Sequence, residues 1–204
     1  MKSIMGKAVY LDTETTSLVP GQIAQLSYIV EQDSEVTKAV NKYFNVKNME
    51  KGAYETHGLS KELLEELSEG KEFKDFKDEL LSDLEGSLFV AHNARFDMKF
   101  IQKELDRCGV KFIHREVFDT MLYFKPILKL YNRNGLKPPK LAEVIDYFRI
   151  DLGKVLIYAE KIYKEQARGL HDSMTDTTAM FVAVNIAREL ALEKYNWYNT
   201  FKIA

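Results

Sequence analysis

The chain holds a single cysteine, Cys108, among 204 residues, so no disulfide can form within it, and a reducing cytosol is the expected setting. Proline is scarce at four residues, and two of the four fall in one stretch, YNRNGLKPPK, which marks a loop. No apolar run approaches the roughly 20 residues that cross a bilayer. The opening MKSIMGKAVYLD lacks the long apolar stretch and small-residue cleavage site of a secretory signal. A cytoplasmic protein without membrane contact is therefore expected. Net charge is also small: 29 cations against 31 acids leave −2, which argues against wrapping nucleic acid by non-specific electrostatics as the main task. Internal repeats and low-complexity tracts are absent as well. What is present is ordinary globular composition, 46% hydrophobic and 29% charged, in a length suited to one core, so a single domain over 1–204 is expected.

The first third reads as strands. Lys7–Asp12 is a short apolar run ending in an acid; Gln22–Glu31 and Val36–Val46 follow, separated by a polar turn at Asp33 and Ser34. Ala39, Tyr43 and Val46 of the third run also fit helical spacing. The period then changes. Ser60–Leu67 reads as a helix capped by Ser60, and Phe73, Phe76, Leu80, Leu81 and Leu84 predict a helix over Lys71–Leu84. Ser87–His92 reads as a buried strand, after which Asn93 is expected to cap a helix that runs to Cys108 and stops before Gly109. A strand near Val117–Asp119, a helix toward Leu130, and helices near Leu141–Phe148, Val155–Ala167 and Thr175–Lys194 complete the reading. The order implies an α/β layered domain with a mixed central sheet flanked by helices. The Gln25–Tyr28 segment faintly resembles a sliding-clamp-binding peptide, but it falls in an expected core strand, where such a peptide could not be reached.

Five residues stand out chemically. Asp12 and Glu14 lie two apart at a strand end, so they share a face. Like charges that close resist joint ionisation unless a cation sits between them, and Mg²⁺ favours such oxygen ligands. Alone, an Asp-x-Glu pair is more often a solvated strand end. Asp97 projects on the same helical stripe as Ile101, Leu105 and Cys108. A carboxylate on an apolar face needs compensation, part of which a helix N-terminus supplies. Asp176 shares a stripe with Met180, Ala183, Ala187 and Leu190, and Ser173–Asp176 also resembles a capping box. His171 lies five residues before Asp176. Five residues would be about 140° of helix rotation, so the two can share a site only if His171 sits in the preceding loop, which Gly169 makes feasible. Imidazole suits the removal of a proton from water. A carboxylate cluster of this kind lowers net charge until cations bind, so −2 does not exclude phosphate chemistry.

Together, LDTETT, AHNARFD and LHDSMTD resemble the three motifs of the DEDDh-type, DnaQ-like 3′–5′ exonucleases, a family of the ribonuclease H-like superfamily. The resemblance spans roughly Lys7 to Leu192 and is loose between motifs; the tyrosine branch would have Tyr-x-x-x-Asp in place of His171-x-x-x-x-Asp176. It implies a ribonuclease H-like fold and two divalent cations, Mg²⁺ or Mn²⁺, about 4 Å apart on the scissile phosphate. Asp12 would bridge both, Glu14 and Asp176 would hold the ion that carries the attacking water, Asp97 would support the other, and His171 would be the general base. The expected products are nucleoside 5′-monophosphates, released from the 3′ end of a single-stranded or frayed nucleic acid. Thr13, Thr15, Leu18, His57, Leu59, Asn93 and Phe96 are the expected substrate contacts, with Leu18, His57, Leu59 and Phe96 as stacking or wedging groups. For Phe96 core packing is the competing role, and for Asn93 capping. ETHGLS resembles the segment that borders the nucleotide, and KLAEVIDYFRI the helix that precedes the third motif.

Two features depart from the family pattern. Ser17 stands where glycine is usual after DTETT, and Asp151–Gly169, read as helical, is longer than the typical connection. A DNA polymerase, if engaged, would act in trans. RNA trimming, a non-catalytic nucleic-acid-binding module and a phosphatase on the same carboxylates are the competing functions.

Overall fold

A computed structural model describes residues 6–18, 21–114 and 116–190. Five strands form the central sheet: β1 (Lys7–Thr15), β2 (Ile23–Gln32), β3 (Glu35–Tyr43), β4 (Ser87–Ala91) and β5 (Val117–Asp119). Their order is β3-β2-β1-β4-β5. The first three form an antiparallel meander, and β1, β4 and β5 are mutually parallel neighbours. The β2–β3 turn falls at Asp33 and Ser34, both left-handed at φ 52° and 73°, a conformation that suits a tight two-residue hairpin. The helical alternative for the third run does not occur.

Strand alternation divides the core into two layers. Val9 and Leu11 of β1 join Phe89, Phe100, Ile101 and Leu105 on one face. Ala8 and Tyr10 join Val90, Phe124, Met180 and Val184 on the other. Nine of ten residues of β2 are buried, as a strand covered on both faces requires.

Helices α1 (Lys51–His57), α2 (Lys61–Ser68) and α3 (Lys77–Leu84) connect β3 to β4, α4 (Ala94–Arg107) connects β4 to β5, and α5 (Thr120–Leu128), α6 (Leu141–Phe148), α7 (Leu152–Tyr163) and α8 (Ser173–Glu189) follow. The Ser60 hydroxyl accepts the Leu63 N–H and caps α2 as expected. The expected 71–84 helix is instead a 3-10 turn at Phe73–Asp75 followed by α3. Helix α1 had no sequence signature because it buries none of its residues. The YNRNGLKPPK loop contains a minimal hairpin, β6 (Tyr131–Asn132) with β7 (Gly135–Leu136). Helix α7 starts earlier than expected because Asp151 accepts from Gly153 N and Lys154 N at 2.9 and 3.3 Å. The expected end of the last helix, 191–194, lies outside the described residues.

Two expected caps are replaced. Asn93 occupies the position before α4, left-handed at φ 74°, but its side chain makes no cap bond. The Asp119 carboxylate accepts from Asn93 N and Ala94 N at 3.2 and 3.0 Å, and also from Met121 N and Leu122 N at the start of α5. One acid at the end of β5 therefore serves two helix N-termini, where negative charge is favoured. Nor does Ser173–Asp176 form a capping box. Asp172 precedes α8, Asp176 N donates to Asp172 O at 2.9 Å, and the Ser173 hydroxyl is hydrogen-bonded to that of Ser27 at 2.6 Å.

Candidate active site

Asp12 and Glu14 continue the β1 face that carries Ala8 and Tyr10, so they point toward the layer containing α8. There they meet Asp176: one carboxylate oxygen from each of the three lies within 4.8 Å of the others. Asp97 arrives from the opposite layer. Pairing with β4 covers only Lys7–Tyr10 of β1, and the first turn of α4 stands beside the end of β1 that extends past it. Thr13, facing that layer, donates from its hydroxyl to Asp97 Oδ1 at 2.8 Å. Asp97 is 2% exposed, and its charge is the largest single-charge influence on Asp12. All four acids thus gather at the end of β1, three of them close enough for one cation to bridge and Asp97 held by Thr13 on the other layer.

Burial and mutual repulsion hold these acids toward their neutral forms while no cation lies among them. Burial, then the charges of Asp97, Asp176, Glu14 and Asp172, push the Asp12 carboxyl well above its ordinary value. Burial and the charges of Asp176, Asp172 and Asp97 raise Glu14 to about 9. Burial raises Asp97 to about 7 against the opposing Thr13 hydrogen bond. It also raises Asp176 to about 7, opposed by a hydrogen bond from the His171 backbone. Asp176 Oδ1 is buried without a hydrogen-bond partner. A buried carboxylate oxygen left unpaired among other acids is costly once ionised, and a divalent cation with carboxylate ligands would relieve it. The donor set is all oxygen and all acidic, which suits Mg²⁺ or Mn²⁺ rather than a thiolate-preferring ion.

His171 lies in the turn before α8, outside the helix as the spacing required, left-handed at φ 64° and exposed. Its backbone, not its ring, binds Asp176. The ring is near enough to His57 to influence that residue's charge. Leu59 N donates to His57 Nδ1 at 3.0 Å, so Nε2 carries the proton and donates to Thr15 O at 3.2 Å. Burial holds His57 below the usual histidine range, and its two ring hydrogen bonds fix it against the end of β1.

The remaining expected contacts divide by placement. Leu18 is 75% exposed. Leu59 is 1% exposed and packs with Ala24, Val46 and Leu64. Phe96 packs partly against the core, its ring 4.8 Å from Phe100. The Thr15 hydroxyl donates to Ser17 O at 3.0 Å. Ser17 does not take a positive φ, so the backbone conformation there does not itself call for glycine. Glycine is needed instead at Gly21, where an added Cβ would lie 2.7–2.9 Å from three Ser17 atoms.

Sequence reasoning missed the network that seats α8. Gln25 and Ser27 pair opposite Glu14 and Asp12 and so share their face. Gln25 Nε2 donates to Asp172 Oδ1 at 2.5 Å and to Asn41 Oδ1 at 2.9 Å. Gln25 Oε1 accepts from Ser173 N at 3.4 Å, and Thr177 Oγ1 donates to Ser27 O at 3.2 Å. Asp172, 4% exposed, also accepts from Arg168 N at 3.4 Å, which ties down the loop that presents His171. The available signal was the pair of polar residues at alternate positions within the apolar first part of the strand, residues 23–30. Buried, they require partners. Their burial also bears out the exclusion of Gln25–Tyr28 as a docking peptide.

A family model for exonucleases of the RNase T type matches residues 9–184. Over 117 residues the chain is 31% identical to the 3′-5′ exonuclease DinG of Bacillus subtilis, covering 55% of this chain and 12% of that protein. It is 30% identical over 141 residues to the DNA polymerase III subunit epsilon of Rickettsia conorii, covering 64% of this chain and 60% of that one. The chain thus spans less than two thirds of either relative. Among solved structures, E. coli exonuclease I in complex with a dT13 oligonucleotide superposes with a TM-score of 0.71 at 15% identity, over 93% of this chain and 42% of that one. Cell-death related nuclease 4 superposes with a TM-score of 0.68 at 13% identity, over 91% and 64%. The shared architecture is the ribonuclease H-like fold.

Proposed function

This chain belongs to the RNase T family of exonucleases, and we propose that it is a metal-dependent 3′–5′ exonuclease releasing nucleoside 5′-monophosphates from single-stranded or frayed 3′ ends of DNA. The observation that carries the reading is the meeting of Asp12, Glu14 and Asp176 within 4.8 Å, with one Asp176 oxygen buried and unpartnered. Asp12, Glu14 and Asp176 would hold divalent cations, and Asp97, fixed by Thr13, would complete the set from the opposite layer. Bound Mg²⁺ or Mn²⁺ supplies Lewis acidity toward phosphoryl oxygens and eases the deprotonation of water. His171 takes the proton of the attacking water, its turn position giving the ring freedom to approach and withdraw. Leu18 wedges the terminal base away from its neighbour, and neutral His57 steadies the strand end beneath it. DNA is favoured as substrate because one relative is named as a subunit of a DNA polymerase, and action beside such a polymerase in trans fits the same relative.

Matched DNA and RNA oligonucleotides, single-stranded and duplex, labelled at either end, test the proposal. Release of deoxynucleoside 5′-monophosphates from the 3′ end of single-stranded DNA, dependent on Mg²⁺ and stopped by EDTA, is expected. Release from the 5′ end, a strong preference for RNA, or no release would reject it.

A further inference from the structure

The 23 residues between Asp119 and Glu143 contain five cations and no acid. In a chain of net charge −2 this single segment carries +5, leaving −7 for the rest. The segment includes the β6–β7 hairpin, which the proposed chemistry does not use. Tyr131 and Leu136 are directly paired across the hairpin, so their side chains share a face, and they are 71% and 38% exposed. Lys129 and Arg133 stand two residues before and two residues after Tyr131 in the chain, both exposed and without an ionic partner among the described residues. The hairpin is held firmly. Lys137 Nζ binds both Glu143 carboxylate oxygens at 2.5 and 2.6 Å, Lys137 N donates to Leu130 O, and Asn134 N donates to Asn132 Oδ1.

Its base is joined to the active-site end of the sheet. His92 Nε2 donates to Pro139 O at 3.0 Å, and His92 precedes the helix turn that carries Asp97. Arg133 is six residues from Pro139, hence at most ~20 Å away along extended chain, so the hairpin stays tethered near that end of the sheet.

We propose that this hairpin is a second nucleic-acid-binding surface, on which Tyr131 and Leu136 stack a base and Lys129 and Arg133 neutralise phosphates of the strand upstream of the cleaved end. A ring left in water between unpaired cations is the combination that grips single strands without regard to sequence. Only the identity of the strand rests on the exonuclease reading.

Fluorescence anisotropy with the full chain in EDTA, where nothing is hydrolysed, separates this proposal from that reading. A 16-nucleotide and a 4-nucleotide single strand are titrated over a range of salt. Removing two phosphate contacts at about 0.7 each lowers the log–log salt slope for single strands by about 1.4, about 25-fold weaker binding at 0.1 M salt. Lys129→Gln/Arg133→Gln is therefore expected to bind the 16-mer about 25-fold more weakly with that drop in slope. Tyr131→Ala, which leaves the charges in place, is expected to weaken 16-mer binding fivefold or more with the slope kept. An unchanged affinity and slope for the 16-mer in both variants would overturn the proposal. So would an equal loss on the 4-mer, which would place the effect in the cleft.

Discussion

Replacing Asp176 with asparagine should make the metal-free protein more stable while removing its activity. In the folded chain the Asp176 carboxyl is raised to about 7 from 3.8, by burial and then by the Asp172 charge. A raised acid binds its proton more tightly folded than unfolded, so its contribution to stability is present below about pH 4 and lost as pH climbs through about 7. At pH 8 the charged group costs up to roughly 4 kcal/mol relative to its acid-side contribution. Asparagine has nearly the same shape and never ionises. Its amide must find partners where Oδ1 now has none, at a cost of roughly 1–3 kcal/mol. The net gain at pH 8 is about 1–3 kcal/mol, or about 2–4 °C in melting temperature for each kcal/mol in a chain of this size. Melting the wild type and Asp176→Asn in EDTA at pH 5 and pH 8 reads this directly, with the gain confined to the higher pH. Added Mg²⁺ should raise the wild-type melting temperature more than the variant's. A variant less stable than wild type at pH 8 in EDTA, or one stabilised equally by Mg²⁺, would refute the view that these acids repel one another until a cation binds.

Asp97→Ala should abolish Mg²⁺-dependent digestion of a 3′-labelled single strand with the melting curve still cooperative; a wild-type rate would remove Asp97 from the site. His171→Ala should lower turnover by roughly two orders of magnitude with little change in KM, and a change carried by KM alone would make it a substrate contact and not the base. Gln25→Ala strips Asp172, Asn41 and Ser173 N of a shared partner. It should cost roughly 1–3 kcal/mol in a denaturant titration and also slow turnover by loosening the His171 loop; full activity at reduced stability would limit the network to a folding role.

The acids were legible because each broke a local rule. Asp12 and Glu14 stood at the end of an apolar strand, and Asp97 and Asp176 sat on apolar helix stripes, so each required an explanation beyond solvation. The five-stranded sheet followed from the same periodicity. Less was visible where partners are distant in sequence. Asp119 precedes Thr120 as any helix cap would, and nothing local says that it also serves Asn93 N and Ala94 N, more than 20 residues earlier. Helix α1 buries nothing and so leaves no apolar stripe. Nor does anything local announce that Gly21 lies so close to Ser17 that an added Cβ would meet three of its atoms. Asp172 looked like an ordinary residue between His171 and a helix, because Gln25, which holds it, lies 147 positions away.

In the proposed enzyme, carboxylates from both layers of the fold converge to bind divalent cations. Calorimetric titration of Mn²⁺ into the wild-type chain and into Asp12→Asn, at pH 7.5 without nucleic acid, tests it most directly. Saturable binding by the wild type, with proton release as the raised acids ionise, and its loss in Asp12→Asn is the predicted result. Equal binding by the two proteins, or none by either, would contradict it.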